Sequence, residues 1–262
     1  MGSAQVQGEL WGRHAQTWAD GMERRMAPLY EATLAALAPL AGSRLLDAGC
    51  GSGLALSLAA KAGADVSGLD ASAPLLGVAG ARTPAAELRT GDIEALPWAE
   101  ATFDTVTAFN SVQYAVDPAT AVAELARVCR PGGRVAIGVW GDPARCETEG
   151  LFARLRSLAP PPPGTPAPLG ISEPGVVEEL LEKAELSVVG GAEVECPFAF
   201  ADMDEAWRDN IASGPLQKVI DVAGAAQVRA VIETVLEADR KPDGSLRQDN
   251  VFRYVVAQKQ VD

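Results

Sequence analysis

Apolar positions in the first forty residues recur at helical spacing, and from Arg44 onward short apolar runs alternate with helical stretches. Residues 5–20 read as one helix and 26–39 as a second, with Leu29, Leu34, Leu37 and Leu40 near helical spacing and Pro39 and Gly42 ending it. Leu45 to Ala48 is a predicted strand that runs into a glycine turn, followed by a helix over 54–62 and a strand over 66–69 that ends at Asp70. The alternation continues with a helix over 75–81 and short strands over 87–89 and 103–109. A helix over 119–129 and a strand over 134–140, after the turn Pro131-Gly132-Gly133, complete it.

Strands and helices alternating at this pace pair in parallel through right-handed crossovers, with helices on both faces. The predicted fold class is therefore α/β, a Rossmann-like, open doubly wound sheet. Beyond residue 140 the regularity breaks. One amphipathic helix (Leu151, Phe152, Leu155, Leu158) precedes Pro160, Pro161, Pro162, Pro163, Pro166 and Pro168, which predict a stiff extended segment. Pro174 fits the first turn of the next helix, 186–189 and 194–200 read as extended, 202–239 as further helices, and 251–257 as a closing strand. The chain divides as one domain: a helical cap over 1–40, a core over 41–140, insertions over 141–172 and 201–247 acting as lids or substrate walls, and 173–200 with 248–262 completing the sheet. Trp207 and Phe198 are placed by this reading beside the insertions' binding space.

Charge narrows the partners. Twenty-two Lys and Arg stand against 35 Asp and Glu, a net of 22 − 35 = −13, the opposite of the basic footprint that nucleic acid or an anionic membrane surface demands. Four cysteines without a C-x-x-C pair and a single histidine are too few soft ligands for a structural zinc site, and they fit a reducing compartment. With no apolar N-terminal h-region and no uncharged helix long enough to span a bilayer, the reading is a cytoplasmic protein. A homodimer is left open.

The densest chemical signal is LLDAGCGSG, residues 45–53. Glycines at 49, 51 and 53 let the backbone turn tightly and approach a ligand, and the following helix points free N–H groups at the turn. A dinucleotide fingerprint needs a third glycine at 54, where this chain has Leu54, so a nicotinamide or flavin cofactor held that way is disfavoured. Asp70 ends the second strand, where a carboxylate can accept from ribose hydroxyls. A nucleoside without a pyrophosphate satisfies both features.

Together with VSGLDAS (66–72), TGDIEALPWAEATFDTV (90–106), FNSVQYAVDP (109–118) and ELARVCRPGGRVAIGVW (124–140), this segment resembles the class I S-adenosylmethionine-dependent methyltransferases. The likeness is to their small-molecule, UbiE-like "methyltransferase type 11" group, and it covers about 100 residues. The resemblance implies a seven-stranded sheet whose last strand is antiparallel. It implies that Asp47 orients the turn near the methionine ammonium, that Gly49, Cys50, Gly51 and Gly53 line the methionyl moiety, and that Asp70, followed by Ala71 and Ser72, holds the ribose. Asp92 with the Ile93 N–H would read the adenine edge, and Asn110 and Ser111 would approach the amino-acid end. Cys50 reads as a packing residue without redox chemistry.

No N/D-P-P-Y/F run follows the fourth strand; that place reads Asn110-Ser111-Val112-Gln113-Tyr114. With the acid excess, this points to a small, fairly apolar organic acceptor. No acidic cluster suggests a divalent metal. A sulfonium needs in-line positioning and exclusion of water more than a strong base, and aromatic faces attract it by about 0.5–2 kcal/mol. Trp11, Trp18, Tyr30 and Tyr114 are the candidate faces, with Trp18 counted among the cofactor-binding residues. His14, the sole imidazole, is the candidate general base, and Tyr114 the second candidate catalytic residue. Two alternatives stand beside methyl transfer: a protein of this fold that binds S-adenosylmethionine without methylating, as a binding module or a pericyclic catalyst, and an NAD-dependent oxidoreductase. Leu54 and the lack of a Tyr-x-x-x-Lys pair weigh against the last.

Overall fold

A computed structural model describes residues 3–160 and 170–261. Four short helices open the chain: α1 (Ala4–Gly12), α2 (Ala15–Asp20), α3 (Met22–Arg25) and α4 (Ala27–Ala36). The core alternates β1 (Arg44–Ala48), α5 (Leu54–Lys61), β2 (Asp65–Asp70), α6 (Ala73–Arg82), β3 (Glu87–Thr90), β4 (Phe103–Phe109), α7 (Pro118–Val128) and β5 (Cys129–Trp140). Then come α8 (Thr148–Leu158), α9 (Val176–Lys183), β6 (Leu186–Glu195), β7 (Phe198–Phe200), α10 (Met203–Asn210), α11 (Gly214–Ala223), α12 (Ala225–Ala238), β8 (Leu246–Gln248) and β9 (Val251–Lys259).

Seven strands form one sheet in the order β3-β2-β1-β4-β5-β9-β6. β1 to β5 are parallel, and β9 runs antiparallel to both its neighbours. The doubly wound α/β class and the antiparallel last strand are as expected. The order reverses between β1 and β4, and at such a switch point the strands' carboxyl ends open a crevice. On one side of the sheet α7 and α9 cover an apolar layer containing Leu46, Val106, Leu125 and Ile137. A second layer joins Met22, Leu29, Phe109, Leu151, Phe198, Leu216, Ile232 and Phe252. The cap, the sheet and both insertions therefore bury apolar surface against one another.

Local details differ from the periodicity. Residues 5–20 are not one helix: His14 has φ −132° and ψ 41°, which breaks the chain between α1 and α2, and Gly21 (φ −112°, ψ −96°) breaks it again. The break at Gly21 has a tertiary cause. A side chain at Gly21 would stand 2.5 Å from the Asp209 carboxyl, where α10 closes on the cap. Pro174 lies ahead of its helix, which begins at Val176 after Gly175 in a left-handed conformation. β6 runs unbroken through Gly190-Gly191, with a bulge after Val188, and β7 pairs separately with β8. Of the proline run, Pro161, Pro162, Pro163, Pro166 and Pro168 lie outside the described residues. No described helix is long and apolar enough to cross a membrane.

Candidate active site

The loop after β1 is built for close approach. Gly49, Gly51 and Gly53 all take positive φ (81°, 54° and 78°), a region costly for residues with a Cβ. The three serve different ends. A Cβ on Gly49 would meet the Ser111 Cβ at 2.3 Å, and one on Gly53 would meet Ala79 of α6 at 2.8 Å. One on Gly51 would meet nothing nearer than 3.9 Å, at the Trp18 indole nitrogen, so Gly51 borders open space. Gly53 packs helix against helix and does not line the cavity that Gly49, Cys50 and Gly51 line.

Asp70, at the tip of β2, fastens this loop to the next one. The Gly51 N–H donates to Oδ2 and the Ser72 N–H to Oδ1, both at 2.8 Å. Burial raises its pKa, against the pull of those N–H donors. Ser72 lies behind the wall: its hydroxyl caps α6 by accepting from Leu75 N–H, while Ala71 faces the cavity. Asp47 is buried in β1, its Oδ1 accepting from the Thr107 hydroxyl at 2.8 Å. Desolvation lifts its pKa to about 7, with the Asp70 and Glu23 charges adding to the rise.

Opposite lie Asp92 and Ile93, after β3, and Asn110 and Ser111, after β4. Asn110 sits at φ 49°, and neither its amide nitrogen nor its amide oxygen has a protein partner although both are buried. The Gln113 amide oxygen is equally without one. Buried polar atoms are nearly always paired, and both of these residues line the cavity. The Ser111 hydroxyl is taken by the Ala48 carbonyl at 2.7 Å.

The cap closes over this cleft. Glu23, only 2% exposed, pairs with Arg82 of α6 at 2.6 Å and accepts from Leu54 N–H at 3.3 Å, tying α3 to the start of α5. Arg25 pairs with the buried Asp209 at 2.7 Å and so fastens α3 to α10. α1 lies against the loop after β2 so closely that a Cβ on Gly8 would stand 2.3 Å from the Ala71 carbonyl oxygen. Trp11 meets Trp18 and Tyr114 edge-on, with ring centroids 4.8 and 5.8 Å away, and all three line the cavity. Burial pushes the Tyr114 phenol up to about 12.

The same cavity continues inward, with about 1370 Å³ of unfilled space including its mouth. Its inner wall carries Met22, Met26, Tyr30, Phe109, Trp140 and Phe152. Phe198 joins them as expected from the sequence, whereas Trp207 does not line the cavity and packs beneath Arg229. His14 is not brought to the cavity: it sits at the α1–α2 break, half-buried, its carbonyl accepting from Trp18 N–H. Glu23, Met22, Met26 and Trp140 went unread in the sequence. Only Trp140 carried a signal, its place at the carboxyl end of the strand beside β4.

A family model described as a methyltransferase domain matches residues 46–137. The ubiquinone biosynthesis O-methyltransferase of Paracidovorax citrulli (strain AAC00-1) is 32% identical over 187 residues, covering 67% of this chain and 78% of that protein. The malonyl-[acyl-carrier protein] O-methyltransferase of Pseudescherichia vulneris is 40% identical over 128 residues, covering 48% of this chain and 50% of that protein. Among solved structures, the [4+2]-cyclase SpnF aligns with a TM-score of 0.59 at 19% identity, over 89% of this chain and 81% of that one, a likeness of fold. With a relative matched across most of its length and a family model seated on the glycine turn and its strands, the chain belongs to the class I S-adenosylmethionine-dependent methyltransferases of the UbiE-like, methyltransferase type 11 group, and S-adenosylmethionine is its cofactor.

Proposed function

We propose that this chain transfers a methyl group from S-adenosylmethionine to a small, apolar organic metabolite by in-line displacement. The observation that carries the reading is that the glycine turn and an apolar chamber line one and the same cavity. An acceptor in the chamber faces the turn with little water between, the arrangement that displacement requires. When bound, the cofactor supplies a methyl group already activated on a sulfonium.

The residues of the outer end fit it. Asp70 keeps lone pairs free for a ribose diol beyond its two N–H donors. Gly51 leaves room for the methionyl chain, Asp47 and Glu23 bring negative charge toward its ammonium, and the orphaned Asn110 amide faces its amino-acid end. Asp92 and the Ile93 N–H supply acceptor and donor for an adenine edge. Trp18 and Tyr114 offer aromatic faces to the cation. Tyr114, its phenol held protonated far above neutral pH, orients rather than deprotonates. The relatives' names concern ubiquinone biosynthesis and malonyl-acyl carrier protein, a range that fits an organic acceptor and fixes none.

Calorimetric titration with S-adenosylhomocysteine and, separately, NADH tests the cofactor end. Binding of the first alone is the expected result, and preference for the second overturns the reading. A mass gain of one methylene on a metabolite incubated with the enzyme and S-adenosylmethionine separates transfer from mere binding or pericyclic catalysis.

A further inference from the structure

We propose that the inner chamber selects an uncharged, ring-bearing acceptor without carboxylate or phosphate, and that the Tyr30 hydroxyl reads the acceptor's polar atom. The inference rests on the methyl-transfer reading above, since the chamber is the part of that cavity left for the acceptor.

Charge is the first support. Among the described residues, no Lys, Arg or His lines any part of the cavity, while Glu23, Asp47, Asp70 and Asp92 do. Arg82, behind the wall, is already engaged by Glu23 at 2.6 Å and by the Ser52 carbonyl at 2.8 Å. An anionic acceptor would shed its hydration with no cationic side chain to meet it and with carboxylates nearby, a heavy penalty in a desolvated site.

Shape is the second. Trp140 meets Phe152 and Phe198 edge-on at 5.5 and 5.8 Å, and Tyr30 tilts against Phe109 at 4.8 Å. These rings offer the faces and edges with which aromatic and fused-ring molecules pair.

Polarity singles out Tyr30. Its side chain lines the cavity and is 93% withdrawn from solvent, yet its hydroxyl has only the Met26 sulfur as a protein partner, at 3.9 Å. A thioether is a weak acceptor, and a buried tyrosine hydroxyl ordinarily finds a better one. Three other polar groups of the cavity wall are occupied. Thr148 shares a hydrogen bond with Gln248 at 3.1 Å, the Asn210 amide donates to the Ala206 carbonyl at 2.9 Å, and the Ser213 hydroxyl donates to the Asn210 carbonyl at 3.0 Å. Burial, then the charges of Glu23 and Asp47, push the Tyr30 pKa well above 10. It stays a neutral phenol that can both donate and accept, a partner suited to a neutral hydroxyl, carbonyl or amine.

The test is calorimetric titration of matched probes, β-naphthol against β-naphthoate and p-phenylphenol against p-phenylbenzoate, with and without saturating S-adenosylhomocysteine. The expected result is binding of at least one phenol and at least tenfold weaker binding of its carboxylate. Tyr30→Phe should weaken the phenol by about five- to tenfold, the worth of one neutral hydrogen bond, and keep the urea midpoint near that of the native chain, which shows that the variant is folded. A carboxylate binding as tightly as its phenol, no binding by either phenol, or an unaltered phenol affinity in Tyr30→Phe each overturns the inference. Failure of S-adenosylhomocysteine to bind the native chain overturns the methyl-transfer reading instead, and the probe titrations without it still report on the chamber.

Discussion

Asp47 is a carboxyl that the sheet withholds from water, and its pKa of about 7 makes the fold sensitive to pH. In the unfolded chain the group titrates near 3.8, so folding favours its protonated form. That stabilisation is fully present below pH ~4 and fades as the pH rises through ~7, where the fold must carry a buried charge. Urea denaturation of the ligand-free protein should show the midpoint falling over this interval, and Asp47→Asn should flatten the fall. A second prediction concerns Asp70. Because it holds two backbone N–H groups as well as facing the cavity, Asp70→Ala should weaken S-adenosylhomocysteine binding by about 1.5–3 kcal/mol; unchanged affinity in calorimetry would remove it from the ribose site. His14→Ala should keep turnover within about fivefold, because removal of a general base costs on the order of 10²–10⁴ and His14 stands away from the cavity. The glycine turn and Asp70 were legible in the sequence because their chemistry lies within one loop and one strand end. Glu23 was not, since its partner is 59 positions along the chain; Tyr30 was legible as an aromatic face, but not as a hydroxyl left with only a thioether for a partner.

Among the elements, α1 is the one whose position the cleft most depends on. Its contact with the Ala71 backbone permits no side chain at residue 8. Gly8→Ala should push α1 off that loop, weaken S-adenosylhomocysteine binding about tenfold through faster dissociation, and move the urea midpoint little. Stopped-flow displacement measures the first effect, and a midpoint loss of matching size would instead make α1 part of the folding core. Helix and strand identity from residue 44 to 140 followed from apolar periodicity, since those elements bury regular faces. The helix break at Gly21 did not follow, because it is imposed from outside, where Asp209 crowds the position. No local pattern encodes a neighbour some two hundred residues away.

At the scale of the molecule, periodicity yielded the α/β class but no strand order; the resemblance of the five motifs supplied the antiparallel seventh strand. The apolar layer that runs from Met22 through Phe109 to Phe252 makes cap, sheet and insertions a single cooperative body, and a ligand bound among them stabilises all three. S-adenosylhomocysteine at a hundredfold excess over its Kd should raise the unfolding free energy by about 2.7 kcal/mol, with one transition in calorimetry; two separate transitions would show that the cap melts by itself.

β9 lies between β5 and β6 and hydrogen-bonds to both, and it carries Phe252 beneath Trp140 with ring centroids 4.3 Å apart. On the ribosome, everything that resembles a cofactor site leaves the exit tunnel well before this wedge does. Until residue 251 emerges, two strand margins stand open to any extended polypeptide nearby, an invitation to misassembly. A chain released after Asn250 should therefore associate with chaperones and sediment, while one released nine residues later should be free of them.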